Sequence, residues 1–270
     1  MINLGVFTDT FMVHAWISGT IVAILCSFIG YFVVLRKASF AAHALPQIGF
    51  AGGAGAVLIN INPIYGLSMF SIIGALLIGY LSSEERNDVV TALILVATLG
   101  MGALFLGLSD KYAAGAYALL FGQIVGISVE QVIDTATLGL ICLLAIIVLY
   151  RPLLLLSISK EIAESRGISV RLVEMCFMVV LALVTAITVP IVGALLCFSL
   201  LIVPMAASIY ITSNPMKVIL LSLMFSLITV WTSLILAYFY GLPIGFLVSI
   251  IGVFFYTCTR VIAYRRSRRK

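Results

Sequence analysis

The sequence predicts an all-α integral membrane protein with about nine transmembrane helices, or eight if one apolar segment is re-entrant. Three observations carry this. Apolar residues make up 63% of the 270 and charged residues only 9%, against about 45–50% and about 25% in soluble domains. The mean hydropathy of +1.28 leaves too little polar surface to cover a water-soluble globule. Apolar runs of membrane-crossing length also follow one another with no polar linker between them, so residues 1–270 form one membrane domain.

Hydropathy places the spans at roughly 11–35, 39–60, 64–82, 88–108, 129–150, 172–190, 191–211, 216–240 and 243–263. No Lys or Arg precedes the first and no small-residue cleavage site follows it, so it reads as a retained span rather than a cleaved signal. The sixth and seventh come from one run, Cys176 to Ile211. As a single helix that run would be roughly 54 Å long, far beyond a ~30 Å hydrocarbon core. Pro190 and Gly193 supply the break. The five cysteines (Cys26, Cys142, Cys176, Cys197, Cys258) all lie in apolar runs without CxxC or His-rich company, which suits buried free thiols.

Charge sets the orientation. With the N-terminus outside and the C-terminus in the cytosol, every Lys and Arg except Lys111 falls on the cytosolic side, as the positive-inside rule requires. The basic tail from Tyr264 to Lys270 then lies beside anionic lipid headgroups, a better match than nucleic acid. Residues 112–127 are apolar but short and Gly-rich, which predicts a re-entrant or surface-lying helix on the outer side.

No enzyme signature is present: no GxxxxGKS/T loop, no HExxH, no GxSxG, and only two histidines, His14 and His43. The chain therefore does not bind ATP through a P-loop of its own. The segment from Ser39 to Ala56 is the most informative. His43 and Gln47 stand four residues apart on one helix face. Pro46 breaks or loosens the helix between them, and Gly49, Gly52 and Gly53 admit another backbone at close range. A weak cation site on a wet path fits this pattern, and so does a histidine hydrogen-bonded between helices. His14 reads as structural.

A second constellation lies in the cytosolic loop 151–171. Ser159 is a plausible N-cap of a short helix, Glu161 and Glu164 sit toward its positive end around Ala163, and Gly167 suits a left-handed C-cap. A docking element and an ordinary connecting helix both fit.

Together these segments resemble the metal-type ABC permeases, which import zinc, manganese or iron with a separate ATPase and an extracellular binding protein. The resemblance covers nearly the whole chain. Gly30 to Arg36 followed by Ser39 to Ala56 resembles the family's first cytosolic turn and second span. Leu120-Phe121-Gly122 resembles its mid-chain LFG signature. Arg151-Pro152-Leu153 with Glu161, Ala163 and Gly167 resembles the coupling loop that inserts into the ATPase, and Gly193 to Leu196 with Pro204 resembles the GALL…P stretch. Many members carry Asp at the position of His43 and His at that of Gln47. The substitution leaves one imidazole, which suits zinc, iron or copper better than manganese.

The resemblance implies an ABC importer permease of the bacterial plasma membrane, non-enzymatic and without a cofactor of its own. It would work as a homodimer with a cytosolic ATPase and an extracellular metal-binding protein, its cargo a divalent transition-metal ion. Two alternatives stand: a permease for a metal chelate, and an ATP-independent secondary transporter. The latter is expected to show a coupling carboxylate inside a span.

Overall fold

The computed structural model describes residues 8–81, 87–109, 118–122 and 127–267, and among them every regular element is a helix. The helices are α1 (Thr10–Leu35), α2 (Ser39–Leu58), α3 (Pro63–Leu81), α4 (Asn87–Gly107) and α5 (Val129–Ile158). They continue as α6 (Lys160–Ser165), α7 (Val170–Val192), α8 (Cys197–Ile209), α9 (Pro215–Tyr240) and α10 (Ile244–Ser267).

Seven of these, α1, α3, α4, α5, α7, α9 and α10, are long and apolar enough to cross a membrane. The other two segments read as spans from hydropathy are helical but differ in kind. In α2, His43, Pro46, Gln47 and the glycines dilute the apolar character, and α8 has only 13 residues, roughly 20 Å of helix. Lys111, Arg86 and most of the segment 112–127 lie outside the described residues, as do the last three of the tail.

The two central helices are α1 and α7, each 67% buried over its most apolar stretch, whereas α4 is only 17% buried. Around α1 pack α5, α7, α8 and α9, and around α7 pack α2, α3 and α5. Hydroxyls supply part of the joinery, since lipid offers no hydrophobic drive between helices. Ser27 donates to Ala23 O at 2.7 Å and to Ser226 Oγ on α9 at 3.1 Å. Thr188 returns its hydroxyl to Val184 O at 2.6 Å, which hides its polarity within its own helix.

Local chemistry sets several helix ends. Ser128 and Gln131 form a reciprocal capping box at the start of α5. Asn214 caps α9, whose first residue is Pro215, and Gly241 closes it in the left-handed region. Gly193 ends α7 at φ +95°, while Pro190 sits in the last turn without interrupting it. The helix following Ser128 does not stop near residue 150 as hydropathy suggests. It runs through Arg151 and Pro152 to Ile158, 30 residues in all, roughly 45 Å and so well beyond a ~30 Å core. All five cysteines are free thiols, with Cys26, Cys142 and Cys197 buried.

Candidate functional site

His43 and Gln47 lie on the second and third turns of α2. Their side chains meet, with Gln47 Nε2 at 3.2 Å from His43 Nε2. An amide nitrogen only donates, so in this arrangement the imidazole accepts at Nε2 and carries its proton on Nδ1. The His43 ring also stands edge-on to Phe198 of α8, centroids 5.3 Å apart. Both partners are half-buried rather than sealed. The pair thus offers one imidazole and one amide at the α2–α8 contact, a weak two-donor arrangement. Among the described residues no three His, Cys, Asp or Glu side chains gather as a metal site. Phe198 escaped the sequence reading, because an aromatic residue in an apolar run carries no signal of what it will face.

Pro46 does not end α2, which runs unbroken from Ser39 to Leu58. A proline removes one helix bond but need not break the helix. The donor that Pro46 lacks would have served Ala42 O; one turn further, Ser71 of α3 donates its hydroxyl to Leu45 O at 3.3 Å, a tie between the two helices and not a substitute for that bond. The glycines set the interhelical distance. A Cβ on Gly52 would meet the backbone of Gly66, and one on Gly66 that of Gly52, so the two helices touch backbone to backbone. Gly49 faces Leu67 and Ser71 on the same helix, and Gly53 faces the Leu67 side chain with Leu119 close behind.

Two segments 71 residues apart form a second contact. Leu120-Phe121-Gly122 lies against the break between α7 and α8. Ala194 N donates to Leu119 O at 2.9 Å and Leu195 N to Leu120 O at 3.3 Å. Gly122 (φ +73°) and Gly193 (φ +95°) are the closest points, each with the other's segment where a Cβ would go. Gly245 of α10 closes the junction against Phe121 O and Val192 O. These bonds satisfy amides that the break in the helix frees.

Lys160–Ser165 form the short helix predicted from sequence. Ser159 Oγ accepts from Ile162 N at 3.3 Å. At the other end Gly167 N donates to Glu164 O (2.9 Å) and Ile168 N to Ala163 O (3.1 Å), with Gly167 at φ +76°, a Schellman closure. Ala163 is fully buried against the helix bundle, while Glu161 and Glu164 are exposed. Ile162, 47% exposed, adds an apolar contact to the outward face. Beneath α6, Arg36 at the end of α1 donates from Nη2 to Glu174 of α7 at 2.7 Å and lies over the Phe177 ring. At the far end of the bundle, His14 Nδ1 bonds Ile127 O at 2.9 Å, a structural tie between α1 and the start of α5.

Comparison with known proteins places this geometry. The model of the ABC 3 transport family matches residues 8–263. The manganese import system permease protein ScaB of Streptococcus parasanguinis is 27% identical over 96% of this chain and 93% of its own length. The high-affinity zinc uptake system membrane protein ZnuB of Haemophilus influenzae is 26% identical over 90% of this chain and 94% of its own. Among solved structures, PsaBC from Streptococcus pneumoniae in complex with Fab superposes with a TM-score of 0.85 at 23% identity, covering 94% of this chain and 92% of that one. The seven long apolar helices make the chain a multi-pass protein of the bacterial plasma membrane. With the family model matching nearly end to end, the chain belongs to the ABC 3 transport family.

Proposed function

We propose that this chain is the membrane permease of an ATP-driven importer for a divalent transition-metal ion, zinc, manganese or iron. It works as a homodimer, with a cytosolic ATPase docked on α6 and an extracellular binding protein delivering the cargo. In this reading α2 and α8 complete nine spans, the N-terminus lies outside and the C-terminus inside. Membership of the family carries the proposal, together with relatives named for manganese and zinc.

The geometry supports the division of labour. α6 is anchored by buried Ala163 and presents Glu161, Ile162 and Glu164 outward, a capped, rigid knob between two long helices. His43 and Gln47 offer the cargo neutral donors while it passes, because a site on a path must bind weakly enough to release. One imidazole without a carboxylate favours zinc or iron over manganese. The test is metal uptake into proteoliposomes holding this chain with its cognate ATPase and binding protein. Uptake is expected to need ATP inside the ATPase compartment and to be absent with this chain alone under a proton or sodium gradient. Gradient-driven uptake by the chain alone would overturn the proposal in favour of a secondary transporter.

A further inference from the structure

We propose that the α6 end of α7 holds an anionic glycerophospholipid, its phosphate in a basic cavity and an acyl chain in the adjoining apolar groove. The cavity, of about 240 Å³, lies between the α1–α2 turn, α3, α4 and α7. Among the described residues, Arg36, Lys37, Lys160 and Arg171 line it with Asp88 and Glu174, four cations and two carboxylates. Glu174 is already committed to Arg36. Arg36 nevertheless keeps a second donor, Nη1, buried and without a hydrogen-bond partner among the described residues. That nitrogen has no accessible surface, so the cations that meet a phosphate in the cavity are the exposed Lys37 and Arg171, the latter with a fork that suits a phosphodiester.

The groove supplies the other half of the ligand. It runs between α3, α5 and α7, has a volume of about 820 Å³, and is walled by Leu76, Leu144, Val148, Leu172 and Val179. Arg171 and Met175 line both spaces, so one side chain reaches headgroup and glycerol level at once. The guanidinium of Arg171 lies 5.5 Å over the Tyr80 ring, an aromatic–cation pair of the kind that settles at a membrane boundary. Basic pockets between helices at the cytosolic boundary match anionic headgroups, which concentrate in that leaflet. This leaflet assignment rests on the orientation given under Proposed function. A lipid seated here would brace the link from α6 to α7 beside the docking helix.

The test uses the full chain purified in neutral detergent, without ATPase or metal, so its failure and a failed uptake experiment are separate results. Apparent affinity is read by native mass spectrometry and by melting temperature during titration with phosphatidylglycerol, cardiolipin, phosphatidylethanolamine or inorganic phosphate. Retention of phosphatidylglycerol or cardiolipin, at least tenfold tighter than phosphatidylethanolamine, is the expected result. Arg171→Gln with Lys37→Gln should lose tenfold or more of that preference while melting normally in lipid-free detergent. Val148→Trp, which fills the groove, should weaken lipid binding with the charges intact. Equal binding of the zwitterionic lipid, or unchanged affinity in both kinds of variant, would overturn the proposal. So would stabilisation by inorganic phosphate equal to that by lipid, which would mark a soluble-anion site. Glu84 and Glu85 lie outside the described residues. Anionic lipid bound only by the Glu84→Gln/Glu85→Gln variant would show that the chain's own carboxylates take the cavity, and would also overturn it.

Discussion

Replacing Gly193 by Ala tests the junction between residues 119–122 and the α7–α8 break. Gly193 has φ +95° and ψ 149°, a region essentially reserved for glycine, so an alanine there carries about 1–3 kcal/mol of backbone strain. Its methyl would also lie 2.5 Å from Phe121 C and 2.7 Å from Gly122 N. Those are backbone atoms and cannot rotate away, and overpacking of this kind costs about 1–3 kcal/mol. Relief by separation would stretch the bonds Ala194 N to Leu119 O (2.9 Å) and Leu195 N to Leu120 O (3.3 Å), each worth about 0.5–1.5 kcal/mol net. With partial relaxation the loss comes to about 3–6 kcal/mol. At about 2–4 °C per kcal/mol for a chain of this size, the melting temperature should fall by roughly 6–24 °C.

The buried thiols provide the assay. Cys26, Cys142 and Cys197 are each no more than 1% exposed, so a fluorogenic maleimide reaches them only as the protein opens. Gly100→Ala is the control, since a Cβ there meets nothing within 4 Å. In the interior of α4 alanine is the better helix former by about 1 kcal/mol, so that variant should melt with the wild type or slightly above it. A Gly193→Ala protein melting within about 2 °C of the wild type would refute the reasoning and reduce the junction to an incidental contact.

Gly167→Val should strain only the end of α6, by about 1–2 kcal/mol, because open space surrounds Gly167; Gly167→Val or Glu161→Lys should leave membrane insertion intact but weaken ATPase co-purification and abolish uptake. His43→Ala should cut metal uptake strongly without loss of expression or ATPase binding, and normal uptake would make the histidine an interhelical tie only. Gln47→His should tighten zinc binding more than manganese binding in equilibrium dialysis, because imidazole is the softer ligand. His14→Ala should lower stability by about 1 kcal/mol through loss of one hydrogen bond, measured in the maleimide assay, and leave the rate of uptake per folded molecule unchanged.

Features governed by near neighbours in the chain were legible from the residues alone. Ser159 and Gly167 frame α6 because capping and left-handed closure depend on a few adjacent amides. The break at Gly193 was legible because a 36-residue apolar run cannot cross a ~30 Å core as one helix. Membrane residence follows from composition, and the spacing of His43 and Gln47 puts them on one face of α2. Where hydropathy misread the chain, at the C-terminal end of α5, the helix simply continues beyond the length a membrane core needs. Hydropathy records solvent preference and not where hydrogen bonding stops.

Only the tertiary structure could reveal which helix each small or polar residue would meet. Gly52 against Gly66, Gly122 against Gly193, Arg36 with Glu174, and His43 against Phe198 are all contacts between separate segments. In water, apolar burial would at least sort inside from outside. In lipid every helix face is compatible with the solvent, so close packing and pairing of polar groups choose the partners. Those choices depend on the shapes of two surfaces at once. The sequence by itself determined that this chain is a bundle of membrane helices with a capped connecting helix, because those properties are local. The packing alone decided which backbones touch and which charges pair, because such contacts exist only once distant segments are brought together.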